Sequence, residues 1–196
     1  MKKFYLNGTW QLIGGNCNTE GKIPGSVYSI LLNKGLMEDP YYRDNEFKAL
    51  KLTENDYTFE RFFNVEKSEC PYLLRFDGLD TFCDIYLNNK HVAYTNNMHI
   101  SYEFDVTNIL KNGENKLSVI CHELHTYRKE KVKELDTFNT IQSLAGVGYI
   151  RKAHCMFGWD WGPRLPDAGI WKDIYLINRV KHLKLDADGL ILILQL

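Results

Sequence analysis

From Tyr57 onward the chain alternates. In "YTFERFFNV" (57–65) apolar and polar side chains exchange at nearly every step. Only an extended strand puts successive side chains on opposite faces, so a chain with this pattern has to build a sheet with one buried face. Further runs predict strands at 72–76, 82–87 and 91–94, with a turn at Gly78 and a hairpin turn at Asn88-Asn89. "ISYEFDVTNIL" reads as a strand ending in a short turn, and "KNGENKLSVICHE" as an Asn-Gly turn and another strand. Short strands spaced roughly 8–12 residues apart, with turn signals between them, point to an all-β jelly-roll sandwich.

Other segments depart from this rhythm. "KFYLNGTWQLIG" predicts a strand, a tight Asn7-Gly8 turn and a second strand, with Trp10 and Leu12 inward. Ser26 is placed to cap a short N-terminal helix carrying Val27, Ile30 and Leu31 on one face, and Gly35 to end it. "EDPYYRDNE" is a polar, tyrosine-bearing loop, because Pro40 forces Asp39 out of helical geometry. The charged "TYRKEKVKELDTF" predicts a helical excursion over 126–138. "GVGYIRKAHCMF" then restarts a strand, and "GIWKDIYLI" is the strand after a tryptophan-rich loop. The apolar end, "LILILQL", has no capping element behind it. Residues 1–180 are therefore expected to form one domain and 181–196 the start of another or a linker, the plainer alternative being that the apolar end pairs as an ordinary buried strand.

Composition narrows the function. Lysine plus arginine is 24 against 25 acids, a formal charge of −1, which speaks against a nucleic-acid or anionic-membrane surface. The five cysteines are widely spaced with no C-x-x-C pair, so neither a disulfide framework nor a zinc knuckle is expected, and Cys83 reads as a core residue. The basic opening "MKKFYLNGTWQL" lacks the apolar run of a signal peptide, and no stretch nears the ~18 apolar residues of a membrane span. The expectation is a cytoplasmic protein. "HELH", 122–125, is one residue short of a zinc signature and sits at a strand end, where its histidines point apart. A glycosidase needs two carboxylates about 5–5.5 Å apart if configuration is retained, and spacing certifies no such pair here.

Three of the four tryptophans fall within "HCMFGWDWGPRLPDAGIWKDIYL". Trp159 and Trp161 flank Asp160, and Gly162 and Pro163 follow at once. Two readings fit. An indole suits the C–H face of a pyranose, a carboxylate accepts two hydrogen bonds from adjacent hydroxyls, and the Gly-Pro pair limits the entropy lost on binding. Alternatively, the indoles plug the sandwich end and Asp160 caps its own turn.

"LRFDGLDTFCDIYLNNKHV", "NMHISYEFDVTNILKNGENKL" and above all "YIRKAHCMFGWDWGPRLPDAGIWKDIYL" resemble the N-terminal sugar-binding domain of β-mannosidases of glycoside hydrolase family 2. "IPGSVYSILLNKGLMEDPYYRDNE" is similar to the same enzymes, and the likeness runs from about Phe4 to Leu176. It implies a galactose-binding-like jelly roll, no cofactor or metal, a β-mannoside or oligosaccharide as ligand, and the remaining domains of a parent hydrolase as partners. In that family both catalytic glutamates lie on a later barrel, which takes roughly 250 residues and has no room here. The resemblance implies that Asp160 holds hydroxyls of the mannose to be cleaved and that Trp159 and Trp161 shape the pocket. Arg151, Lys152, Gly162 and Pro163 take supporting roles, and no catalytic residue lies in this chain. Alternatives are a free-standing carbohydrate-binding module, the same domain of a β-galactosidase or β-glucuronidase relative, or a structural buttress.

Overall fold

Most of the strands pair into two larger antiparallel sheets. The computed structural model describes residues 3–134, 142–178, 182–185 and 191–194. In chain order the elements are β1 (Lys3–Tyr5), β2 (Gly8–Gly14), β3 (Cys17–Ile23), α1 (Val27–Asn33), α2 (Asn45–Leu52), β4 (Tyr57–Val65) and β5 (Tyr72–Phe76). Then follow β6 (Phe82–Leu87), β7 (Lys90–Asn96), β8 (Tyr102–Asp105), β9 (Gly113–Cys121) and α3 (His125–Glu134). The last are β10 (Phe157–Trp159), β11 (Gly162–Arg164), β12 (Ile174–Asn178), β13 (His182–Leu185) and β14 (Ile191–Leu194). One sheet runs β3-β2-β4-β9-β6-β7 and the other β1-β12-β5-β8. Phe59, Ile85, Leu117 and Val119 from the first meet Leu74, Phe76, Ile174 and Leu176 from the second in one core. Fully burying an aliphatic or aromatic side chain stabilises by about 1.5–3 kcal/mol, so this shared face is what holds the sheets together. The architecture is the expected sandwich.

Local signals explain several elements. Ser26 accepts from Ser29 N in a capping box, Val27, Ile30 and Leu31 are buried, and Gly35 takes φ +67 just past the helix. Asn88 and Asn89 both have positive φ between β6 and β7, as a two-residue hairpin of the twist-matching kind requires.

Other expectations are corrected. Asn7-Gly8 is no hairpin: β1 pairs with β12 while β2 pairs with β3 and β4, so the dipeptide carries the chain from one sheet to the other. Asn7 anchors that crossing, donating to Asp173 at 2.8 Å and accepting from Ile174 N at 3.0 Å. The true hairpin partner of β2 is β3, whose alternation is too polar to announce itself. The loop over 38–46 ends sooner than its composition suggests, because α2 begins at Asn45. Residues 147–156 hold two 3₁₀ turns, at Val147–Tyr149 and His154–Met156, where a strand was expected. The expected helix over 126–138 is α3, and 135–141 lie outside the described residues. β14 pairs with β13 among the described residues. Among the described residues no helix is long and apolar enough to cross a membrane.

A second, smaller core sits beside the first. Phe82, Leu124, Ile150 and Phe157 form it, with Tyr127, Leu144 and Val147 packed against it. Phe157 is the first residue of β10, so this cluster positions the tryptophan-bearing segment.

Candidate functional site

β10 and β11 form a tight hairpin. Phe157 pairs with Arg164 and Trp159 with Gly162, leaving Asp160 and Trp161 as its two-residue tip. Gly158 adopts φ +95, and a Cβ there would lie 2.3 Å from Arg164 Cγ, so both backbone and space demand glycine. On the outer edge, the Arg164 guanidinium pairs with Glu46 of α2 and lies 5.4 Å from the centroid of the Phe47 ring. The hairpin is thus pinned at its base by the small core and along one strand by α2.

Its tip projects. Trp161 is 81% exposed and Trp159 43%, with ring centroids 5.4 Å apart at 52°. This rules out a plug for the sandwich end. Asp160 is exposed, and its carboxylate has no hydrogen bond or ion pair among the described residues, so it does not cap its own turn. The tip lines an open cleft of about 500 Å³ together with Pro40, Tyr41 and Arg43. Gly162 and Pro163 line the same cleft.

Of the five residues Trp159–Pro163, then, all meet at one cleft. Arg151 and Lys152 do not join them. Arg151 is exposed and its backbone bridges to Asn97. The Lys152 side chain is wholly buried, its ammonium paired with Asp80 and donating to Asp167 O at 2.6 Å. Burial pushes the Asp80 carboxyl up against the pull of that ammonium. Burial likewise pushes Asp167 up to about 6, although it accepts from Tyr28 N and Ala168 N. Lys152 therefore ties Asp80 to the loop that follows the hairpin and stands outside the cleft lining.

Tyr41, Arg43, Glu46 and Arg164 belong to no motif that marks them in the sequence. The dense run of tyrosines and charges over 41–46 was the available signal. Only the packing of α2 on β11 brings it to the hairpin. The carboxylates lining the cleft among the described residues are Asp160 and Glu46, and Glu46 is engaged by Arg164. This site can grip a polyhydroxylated ligand: an open acid accepts hydroxyl donors beside two apolar ring faces. It does not set two free carboxylates across a bond.

Fold and cleft together define an antiparallel β-sandwich domain with a cleft lined by two indoles, the open Asp160 carboxylate and the Glu46–Arg164 pair. Residues 10–172 match the family described as glycosyl hydrolase 2 galactose-binding domain-like, and the chain belongs to that family. It is 34% identical over 197 residues to a β-mannosidase of Rattus norvegicus, covering 92% of this chain and 22% of that protein. A β-mannosidase of Mus musculus is 34% identical over 184 residues, 87% of this chain and 21% of its own. Among solved structures, the β-D-mannosidase of Dictyoglomus thermophilum superposes with a TM-score of 0.83 at 34% identity, over 91% of this chain and 23% of that one. The exo-chitosanase of Amycolatopsis orientalis shares the fold, with a TM-score of 0.66 at 15% identity over 91% of this chain and 21% of its own. The chain spans about a fifth of the length of the curated relatives it matches.

Proposed function

We propose that this chain is the sugar-binding domain of a β-mannosidase-like retaining glycoside hydrolase. It supplies Asp160, Trp159 and Trp161 to an active site whose catalytic glutamates lie on another domain. Residues 1–180 make up the domain, 181–196 lead into the next, and the whole is cytoplasmic. One observation carries the reading: a free carboxylate stands between two exposed indoles at a cleft with no second free acid among its described lining residues. Such a half-site orients a sugar and leaves bond cleavage to groups from elsewhere. Its binding energy serves catalysis to the extent that it strengthens in the transition state.

The test is steady-state kinetics of the parent polypeptide on an aryl β-mannoside, with and without Asp160→Ala. A charged hydrogen bond is worth about 1.5–3 kcal/mol, so losing one lowers kcat/KM by roughly 10- to 150-fold. Unchanged kcat and KM overturn the assignment. The isolated 196-residue chain is expected to bind a mannoside very weakly and to hydrolyse nothing. Saturable binding by that chain alone would make it a free-standing carbohydrate-binding module.

A further inference from the structure

His122, the first residue after β9, has a carboxylate on each ring nitrogen. Nε2 lies 2.8 Å from Asp84 Oδ2 on β6, and Nδ1 lies 3.0 Å from Asp56 Oδ2 just before β4. A neutral imidazole carries one N–H, so it would turn a lone pair toward one of these anions. Only the imidazolium donates to both. Neighbouring bonds hold the acids in place: Asp56 Oδ1 accepts from Glu123 N at 2.8 Å, and Asp84 Oδ1 contacts His91 Nε2 at 2.6 Å. His91 meets one carboxylate where His122 meets two, and its ring lies edge-on to Tyr86 at 5.1 Å. Other titratable or charged groups around the corner are Tyr94 on β7, Glu54 near Asp56, Glu123 and His125 next along the chain, and Tyr127 and Arg128 on α3, with Tyr57, Cys121, Tyr28 and Asp167 lining the pocket that His122 borders.

The corner connects to the cleft. His122 N donates to Phe82 O at 2.7 Å, and Leu124, two residues on, packs with Phe82, Ile150 and Phe157 in the small core. Phe82 and Tyr127 meet edge to face at 4.7 Å, and Arg128 donates to Ala145 O. Phe157 opens the hairpin that ends in Asp160 and Trp161.

We propose that His122 is a proton-operated brace: charged, it clamps the β9–α3 corner between Asp84 and Asp56, and on losing its proton it releases that corner and loosens the small core beneath the hairpin. That this regulates sugar binding rests on the function proposed above; the brace itself does not. Burial works against the charge on His122, but its hydrogen bonds to Asp84 and Asp56 outweigh that and hold its pKa above the ordinary histidine value. Burial also works against charge on Asp84, and its bonds to His122 and His91 outweigh it in turn, holding that carboxyl below its usual range. A group whose folded pKa is raised contributes stability that is complete below its unfolded value, about 6.5 for histidine, and is lost as pH rises through the folded value.

The experiment is amide hydrogen exchange on the 196-residue chain at about pH 6 and about pH 8.5, corrected for intrinsic rates, with β4 and β9 as internal reference. Protection of 123–134 and 157–164 is expected to fall several-fold at the higher pH in the native chain. His91→Gln should keep that step. Asp56→Asn should flatten it, because an amide there can donate to the Nδ1 of a neutral ring. An NMR titration of the His122 ring accompanies it, so the answer does not depend on any variant folding. The brace is overturned if the ring titrates at or below the free-histidine value, or if Asp56→Asn retains the full step. A chain that shows the step yet belongs to no mannoside-cleaving enzyme would retain the brace and discard the proposed function.

Discussion

Lys152 and its neighbour Arg151 show how much one residue's environment decides. Both read as supporting basic residues, yet one guanidinium stays at the surface while the Lys152 ammonium is fully enclosed with Asp80 and the Asp167 carbonyl. Taking a charge out of water costs several kcal/mol, and only close partners offset it. Removing one member strands the other. Lys152→Met is expected to cost about 3–5 kcal/mol, read from the midpoint of urea unfolding. Adding Asp80→Asn should restore a measurable part of that loss, since the stranded charge disappears with it. A midpoint unchanged by Lys152→Met would mean that the ammonium is solvated.

At the scale of elements, the β10–β11 hairpin depends on one backbone position. Gly158 holds a positive φ, and its hydrogen side faces the Arg164 stem. Alanine there meets the left-handed penalty of about 1–2 kcal/mol and also displaces Arg164. Gly158→Ala should therefore weaken the Arg164–Glu46 pairing and change the environment of Trp161. The check is tryptophan emission beside a denaturation curve. Identical emission with an unchanged midpoint would show that the hairpin is not held this way. Other elements depend on chemistry visible at a glance, such as the Ser26 cap and the Asn88-Asn89 turn. α2 has little such signal: Asp44 makes no side-chain cap bond, and Ala49 is its one buried residue.

At the scale of the whole molecule, two hydrophobic clusters divide the labour. The large one joins the sheets and the small one carries the hairpin. Phe59 and Phe157 are both fully buried, one in each cluster. Truncating a buried phenylalanine to alanine costs about 3–5 kcal/mol, but the two losses should surface differently. Phe59→Ala should lower the global unfolding midpoint. Phe157→Ala should instead raise hydrogen exchange across 142–165 while the strands of both sheets stay protected, because a small cluster at the periphery opens on its own. Equal loss of protection everywhere in Phe157→Ala would mean that the clusters unfold as one.

What could be read from the residues alone is what local chemistry and period control. The strand alternation from Tyr57, the helix cap and the hairpin asparagines each state their geometry within a few residues, because side-chain direction and φ preference are local properties. The Trp159–Pro163 cluster also announced itself, since two indoles around an acid and a Gly-Pro pair are costly to place without purpose. Tertiary structure decided the rest. Asn7-Gly8 looks like any hairpin turn until its flanking strands join different sheets. The polar edge strand β3 is held by pairing with β2, not by a buried face of its own. Tyr41, Arg43 and Glu46 reach the cleft across more than a hundred residues of sequence, because α2 packs on β11 and an ion pair with Arg164 fixes the approach. Lys152 was withdrawn from the site by the same logic: a partner 72 residues away could neutralise it only inside the folded sandwich.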